Sequence, residues 1–173
     1  MRPTSDRVKE ALFNILPHDL SGIKLLELFA GTGNVSIEAI SRGAAEAILI
    51  DWSDRSGKVI RENLRRLDFT DRATVRIAPV SRALRSLARQ RESFDVIFLD
   101  PPYQRNWVKS CLEAIARENL LRASGTLVVE HSAREQPEAE YGSLILKDQR
   151  KYGDTWLSFF EHKAKRFQLN KDT

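Results

Sequence analysis

The sequence predicts a doubly wound α/β domain, a mostly parallel sheet with helices on both faces and an antiparallel hairpin at its C-terminal end. Three observations predict it. From Lys24 to His131 short apolar runs alternate with segments of helical periodicity, the pattern of parallel strands joined by crossover helices. The first of those runs enters the turn Gly31-Thr32-Gly33, which leads straight into a helix. The last two β-rich stretches have no helix between them, so they should pair antiparallel at a sheet edge.

Taken in order, Val8, Leu12 and Ile15 recur at i, i+4 and i+7 behind Thr4, a suitable cap. A leading amphipathic helix over residues 4–16, ending before Pro17, is therefore expected. Lys24 to Ala30 reads as the first strand, and Val35, Ile37, Ala39 and Ile40 continue as a helix to Arg42-Gly43. Ala47 to Asp51 is the second strand, and Ser53 to Leu67 the helix after it, with Val59, Ile60, Asn63, Leu64 and Leu67 at helical spacing. Thr74 to Ala78 is the third strand. The following helix puts Val80, Leu84, Leu87 and Ala88 on one side and Arg82, Arg85 and Arg89 on the other. Phe94 to Asp100 is the fourth strand, Asn106 to Glu118 a helix, and Gly125 to His131 the fifth strand. Leu144 to Gln149 and Trp156 to Phe160 complete the sheet, joined through the turn Tyr152-Gly153-Asp154.

A chain of 173 residues is the size of one domain, expected here over 1–173. With 42% hydrophobic and 30% charged residues it buries a core without the help of disulfides, and its one cysteine, Cys111, reads as a half-buried helix residue. No stretch is apolar enough for a membrane span or a signal region, so the cytoplasm is the expected compartment. The net charge of +4 suits a polyanionic partner without requiring one. Much of the surplus lies in Lys147, Arg150, Lys151, Lys163, Lys165, Arg166 and Lys171.

Ligands of doubly wound sheets bind beyond the C-terminal strand ends, so the residues there carry the functional reading. Glu27-Leu28-Phe29-Ala30-Gly31-Thr32-Gly33-Asn34 closes the first strand, and its glycines admit a ligand that a Cβ would exclude. Asp51, some 20 residues beyond the glycine turn, holds the usual place of a carboxylate that accepts hydrogen bonds from ribose hydroxyls. Each signal alone also fits a tight turn or a helix cap; together they favour a nucleoside. A dinucleotide fingerprint would need a third glycine or alanine, where this chain has Ser36.

Asp100-Pro101-Pro102-Tyr103 follows the fourth strand. Two prolines fix two φ angles and remove two N–H donors, leaving carbonyls free to accept. A nucleobase amine is a poor nucleophile because its lone pair is delocalised into the ring. Asp100 and the Pro101 carbonyl could hold its two N–H groups and favour pyramidal nitrogen, with Tyr103 stacking on the base. The same residues elsewhere in a chain would be loop punctuation. Their place at a strand end, facing the crevice of Gly31 and Asp51, favours chemistry. No metal is called for: the three histidines His18, His131 and His162 lack ligand spacing.

The residues also resemble a known family, the bacterial 16S ribosomal RNA guanine-N2 methyltransferases of the RsmD type. Arg2-Pro3-Thr4-Ser5-Asp6-Arg7-Val8-Lys9-Glu10-Ala11-Leu12-Phe13-Asn14 looks like its leading helix motif, Glu27 to Gly43 like its cofactor motif, and Asp100 to Tyr103 like its catalytic tetrad. The resemblance implies a seven-stranded class I methyltransferase fold and S-adenosylmethionine as donor, leaving S-adenosylhomocysteine. It implies a guanine amine as acceptor, with 16S rRNA or the 30S subunit as partner, no membrane, and a monomer. Catalytic roles fall on Asp100, Pro101, Pro102 and Tyr103. Cofactor contacts fall on Glu27, Phe29, Ala30, Gly31, Thr32, Gly33, Asp51, Trp52 and Val80, the last through its backbone N–H beside the adenine. Pro79 cannot donate to that ring. The family carries a basic, glycine-containing segment ahead of the leading motif, expected to form an RNA-holding hairpin, which the sequence does not include. Glu38 is expected to pair with Arg7 or lie in solvent, and Trp52 to flank the adenine or pack on the following helix. Two rival readings stand beside this one: a DNA adenine-N6 or cytosine-N4 methyltransferase, which uses the same tetrad, and a catalytically silent RNA-binding assembly factor.

Overall fold

The computed structural model describes residues 5–103, 106–164 and 171. Helix α1 (Asp6–Ile15) begins at Ser5, whose Oγ accepts the Val8 N–H at 3.3 Å; the cap is Ser5, because the chain is already extended there, and Thr4 lies outside the described residues. Strand β1 (Lys24–Leu28) leads to α2 (Asn34–Ser41), then β2 (Glu46–Asp51), α3 (Asp54–Arg66), β3 (Ala73–Ile77), α4 (Val80–Arg89) and β4 (Phe94–Leu99). Helix α5 (Trp107–Arg117) and β5 (Leu121–Ser132) follow, and β6 (Glu140–Tyr141), β7 (Leu144–Tyr152) and β8 (Thr155–His162) end the sheet.

The strands form one sheet in the order β3-β2-β1-β4-β5-β8-β7-β6, with β1 to β5 parallel and the rest antiparallel. The seven expected strands are all present. The eighth, β6, is two residues long, too short for any alternation to be read. β5 starts four residues before the expected Gly125. That glycine is needed where the ladder with β4 shifts register: a Cβ there would lie 2.9 Å from the Asp95 carbonyl oxygen.

Strand side chains alternate between two cores. Leu26, Leu28, Ile97, Leu99 and Val129 pack under α4 and α5, whereas Leu25, Leu49, Phe98 and Val128 pack under α1, α2 and α3. Cys111 is fully buried in the first core at 3% exposure, deeper than expected because α5 turns it inward beside Val108 and Leu112; loss of hydration pushes its thiol up to about 12.

Helix α1 buries Val8, Leu12 and Phe13 in the second core, and the Arg42 guanidinium stacks over Phe13 at 4.8 Å. Glu38 pairs with Arg42 at 2.8 Å and with Lys9 at 3.9 Å, so the bond from α2 to the leading helix runs to Lys9 and not to Arg7, whose side of α1 faces elsewhere. Much of the basic surplus near the C-terminus is matched by acids: Lys147 by Glu161, Arg150 by Asp148 and Lys163 by Glu140. Lys165 and Arg166 lie outside the described residues. Among the described residues no helix is long and apolar enough to cross a membrane.

Candidate active site

From β1 the connections wind outward in both directions, to β2 on one side and, through β4, to β5 on the other, which opens a crevice above β1 and β4. That crevice is a cleft of about 1060 Å³. Its floor follows from strand alternation. Glu27 of β1, Asp51 of β2, Asp100 after β4 and Glu130 of β5 share the face of Leu25, Leu49, Phe98 and Val128, and all four carboxylates line the cleft. Leu99 pairs with Val129, so Asp100 and Glu130 stand level on neighbouring strands, while Glu27, level with Phe98, sits one layer below.

The glycine turn is tied to this floor. The chain leaves β1 through Phe29, which adopts a left-handed φ of 57° and sets its ring edge-on to Trp107 at 5.7 Å. Gly31 follows at φ 61° and donates its N–H to Asp51 Oδ2 at 2.9 Å. The other oxygen, Oδ1, accepts the Ser53 N–H at 2.9 Å, and the Ser53 Oγ in turn caps α3 by accepting the Ser56 N–H. Asp51 therefore both holds the residue that caps α3 and forms part of the cleft wall. Each of its oxygens keeps a second lone pair for a ligand.

Glu27 is 3% exposed and accepts the Ser36 N–H at 2.9 Å, which holds the first turn of α2. Loss of hydration raises its carboxyl to about 7; bonds from Ser36 and Val35 oppose the rise and the nearby Asp51 charge adds to it.

Phe29, Ala30, Gly31, Thr32 and Trp52 line the cleft as expected. Trp52 is 66% exposed and belongs to neither core. Asp100, Pro101, Pro102 and Tyr103 form the opposite wall; Pro101 is buried and Tyr103, at 56% exposure, offers an open ring face. Two expected cofactor residues lie off the lining. Gly33, at φ 79°, precedes α2 where a Cβ would lie 3.0 Å from Leu49 Cδ2, so glycine lets the helix begin close to the sheet. Val80 opens α4 with its side chain in the first core, just beyond the end of β3, whose Ile77 is level with Asp51.

The structure adds residues that motif reading passed over. Ser5, Arg7 and Val8 of α1 border the cleft, and Tyr152, Asp154 and Thr155 reach it from the β7–β8 hairpin. Glu130 had a legible signal: like Asp51 and Asp100, it is an acid that ends an apolar run, Leu127-Val128-Val129. Among the described residues no group of His, Cys, Asp and Glu is placed to hold a metal. His131 is buried and kept below its usual range by loss of hydration; its ring nitrogens meet the Ser132 carbonyl and the Ser158 hydroxyl, away from the cleft.

The family model described as conserved hypothetical protein 95 matches residues 1–161 of the chain. YlbH of Bacillus subtilis is 34% identical over 163 residues, covering 94% of this chain and 89% of YlbH. Ribosomal RNA small subunit methyltransferase D of Escherichia coli K12 is 33% identical over 142 residues, covering 82% of this chain and 67% of that protein. Among solved structures, a conserved hypothetical protein of Streptococcus pyogenes superposes with a TM-score of 0.81 at 29% identity, covering 90% of this chain and 96% of that one.

Proposed function

The chain belongs to the conserved hypothetical protein 95 family, and from that premise we propose that it methylates ribosomal RNA, moving a methyl group from S-adenosylmethionine to the N2 amine of a guanine in 16S rRNA. One observation carries the reading: Asp100, Pro101, Pro102 and Tyr103 form one wall of the cleft whose other wall is the Gly31 turn and Asp51. The residues fit the donor. A methyl sulfonium with an ammonium group is cationic, and five carboxylates against two guanidinium groups, Arg7 and Arg55, line this cleft; a nucleoside half is served by Asp51 with its spare lone pairs and by the open ring of Trp52. S-adenosylmethionine, when bound, supplies an already activated methyl group.

The chain's own work is positional. Asp100 Oδ and the Pro101 carbonyl accept the two N–H bonds of the amine, which turns its lone pair toward the donor side of the cleft, and Tyr103 stacks on the extruded base. The proton leaves after attack, so no strong base is needed. The acceptor is expected on the 30S subunit or its rRNA, with the protein acting as a cytoplasmic monomer.

Transfer of a tritiated methyl group tests the reading. Label should enter 30S particles or free 16S rRNA, and nucleoside digestion should return N2-methylguanosine. Label in duplex DNA but not RNA, or none while a control enzyme works, overturns it. Asp100→Ala should cut transfer by at least about 10²-fold, leaving cofactor affinity within about threefold.

A further inference from the structure

The tetrad alone does not choose a base. Adenine N6, cytosine N4 and guanine N2 are all amines next to a ring nitrogen, and Asp100 with the Pro101 carbonyl could hold any of them. What differs is that ring nitrogen. In guanine the amine lies between N3, a lone pair, and N1–H, a donor; beside the adenine and cytosine amines, N1 and N3 respectively present only a lone pair. A reader of that atom must sit beside the amine-holding group and be an acceptor that repels lone pairs.

We infer that Glu130 is that reader, accepting the N1–H of the acceptor guanine while Asp100 holds its N2 amine. The sheet puts the two side by side. Leu99 pairs with Val129 as the last rung between β4 and β5, strands spaced about 4.8 Å apart, so Asp100 and Glu130 are each the next residue and follow the alternation of Phe98 and Val128 onto one face. Both line the cleft, and Glu130 is only 7% exposed, in a setting where a carboxylate discriminates strongly between a donor and a lone pair.

The other acids are less suited. Asp51 ends β2, on the far side of β1 from Asp100, Glu27 lies a layer deeper, level with Phe98, and Asp154 is exposed on the hairpin turn. A carboxylate at Glu130 would also disfavour adenine and cytosine in the same pocket, which turns a general amine-holding tetrad into a guanine site. The inference rests on the proposed guanine-N2 activity.

The test uses 2-aminopurine, which keeps the 2-amine but presents a lone pair at N1. After wild-type protein has marked its target guanine and mass spectrometry has located it, 16S rRNA is assembled by ligation with guanine or 2-aminopurine at that nucleotide. Wild type should prefer guanine by about 10²-fold or more in kcat/KM. Glu130→Gln should lose about 10-fold or more on guanine and little on 2-aminopurine, so that the preference collapses, with cofactor binding by calorimetry unchanged. Equal losses on both bases, or an undiminished preference, overturn the assignment. So does near-equal use of the two bases by wild type, a result that needs no variant. Absence of any wild-type guanine methylation would instead defeat the proposed activity, and this inference with it.

Discussion

At Glu27 the requirements of the cleft and of the fold oppose each other. Its carboxyl is buried under the first turn of α2 and raised from 4.5 to about 7, mainly by loss of hydration. Below pH 4.5 folded and unfolded chains both hold the proton, and the group does not bias folding. As pH rises from 4.5 toward 7 the unfolded chain releases the proton first, so stability falls, reaching a full deficit of about 3 kcal/mol above pH 7. Glu27→Gln removes this titration and keeps an oxygen for the Ser36 N–H. In paired urea melts the variant should match wild type near pH 4 and exceed it by up to about 3 kcal/mol at pH 8. A stability difference that does not grow between those pH values would refute the account. A group kept at such a cost in a cleft suited to a cationic ligand fits a binding role, so the stabilised variant should bind S-adenosylmethionine more weakly.

Among the elements, α3 shows how closely the cleft wall is packed on the sheet. Gly57 lies inside that helix, where alanine would ordinarily be favoured by about 1 kcal/mol. A Cβ at this point, however, would lie 2.5 Å from Ile77 Cδ1 and 2.9 Å from its Cγ1 on β3. Gly57→Ala should therefore destabilise by about 1–3 kcal/mol in urea unfolding, and Ile77→Val in the same chain should restore part of the loss by removing Cδ1. A stabilised single variant would contradict the contact. Elements of this kind were largely legible in the sequence, because period-2 and period-3.6 patterns survive wherever one face is buried. β6 was not, having only Glu140 and Tyr141 to show. The cleft was legible where a strand end carried a motif, at Gly31, Asp51 and Asp100. It was not legible at Asp154 and Thr155, which reach it only through the register of an antiparallel hairpin, nor at Ser5 and Arg7, which depend on how α1 docks.

At the scale of the whole molecule, the leading helix decides whether the site is part of the fold or an attachment to it. α1 is joined to the body by Val8, Leu12 and Phe13 in the second core, by Arg42 over Phe13, and by Lys9 facing Glu38, and the same helix brings Ser5, Arg7 and Val8 to the cleft. A helix of ten residues is marginal alone, so these contacts hold its order. Opening of α1 would strip one wall from the cleft and lower its affinity for any ligand seated there. Ligand binding and α1 order are thus linked, and the size of the link is calculable. S-adenosylhomocysteine at 100 times its Kd stabilises a binding-competent fold by about 2.7 kcal/mol, equivalent to roughly 100-fold slower exchange wherever amides open only by losing the site. In hydrogen exchange the amides of α1 should slow by a factor approaching that of the central strands β1 and β4, and thermal unfolding should remain a single transition shifted upward. If the strands slow while α1 exchanges as before, the helix opens without loss of the ligand and its cleft residues contribute no binding energy.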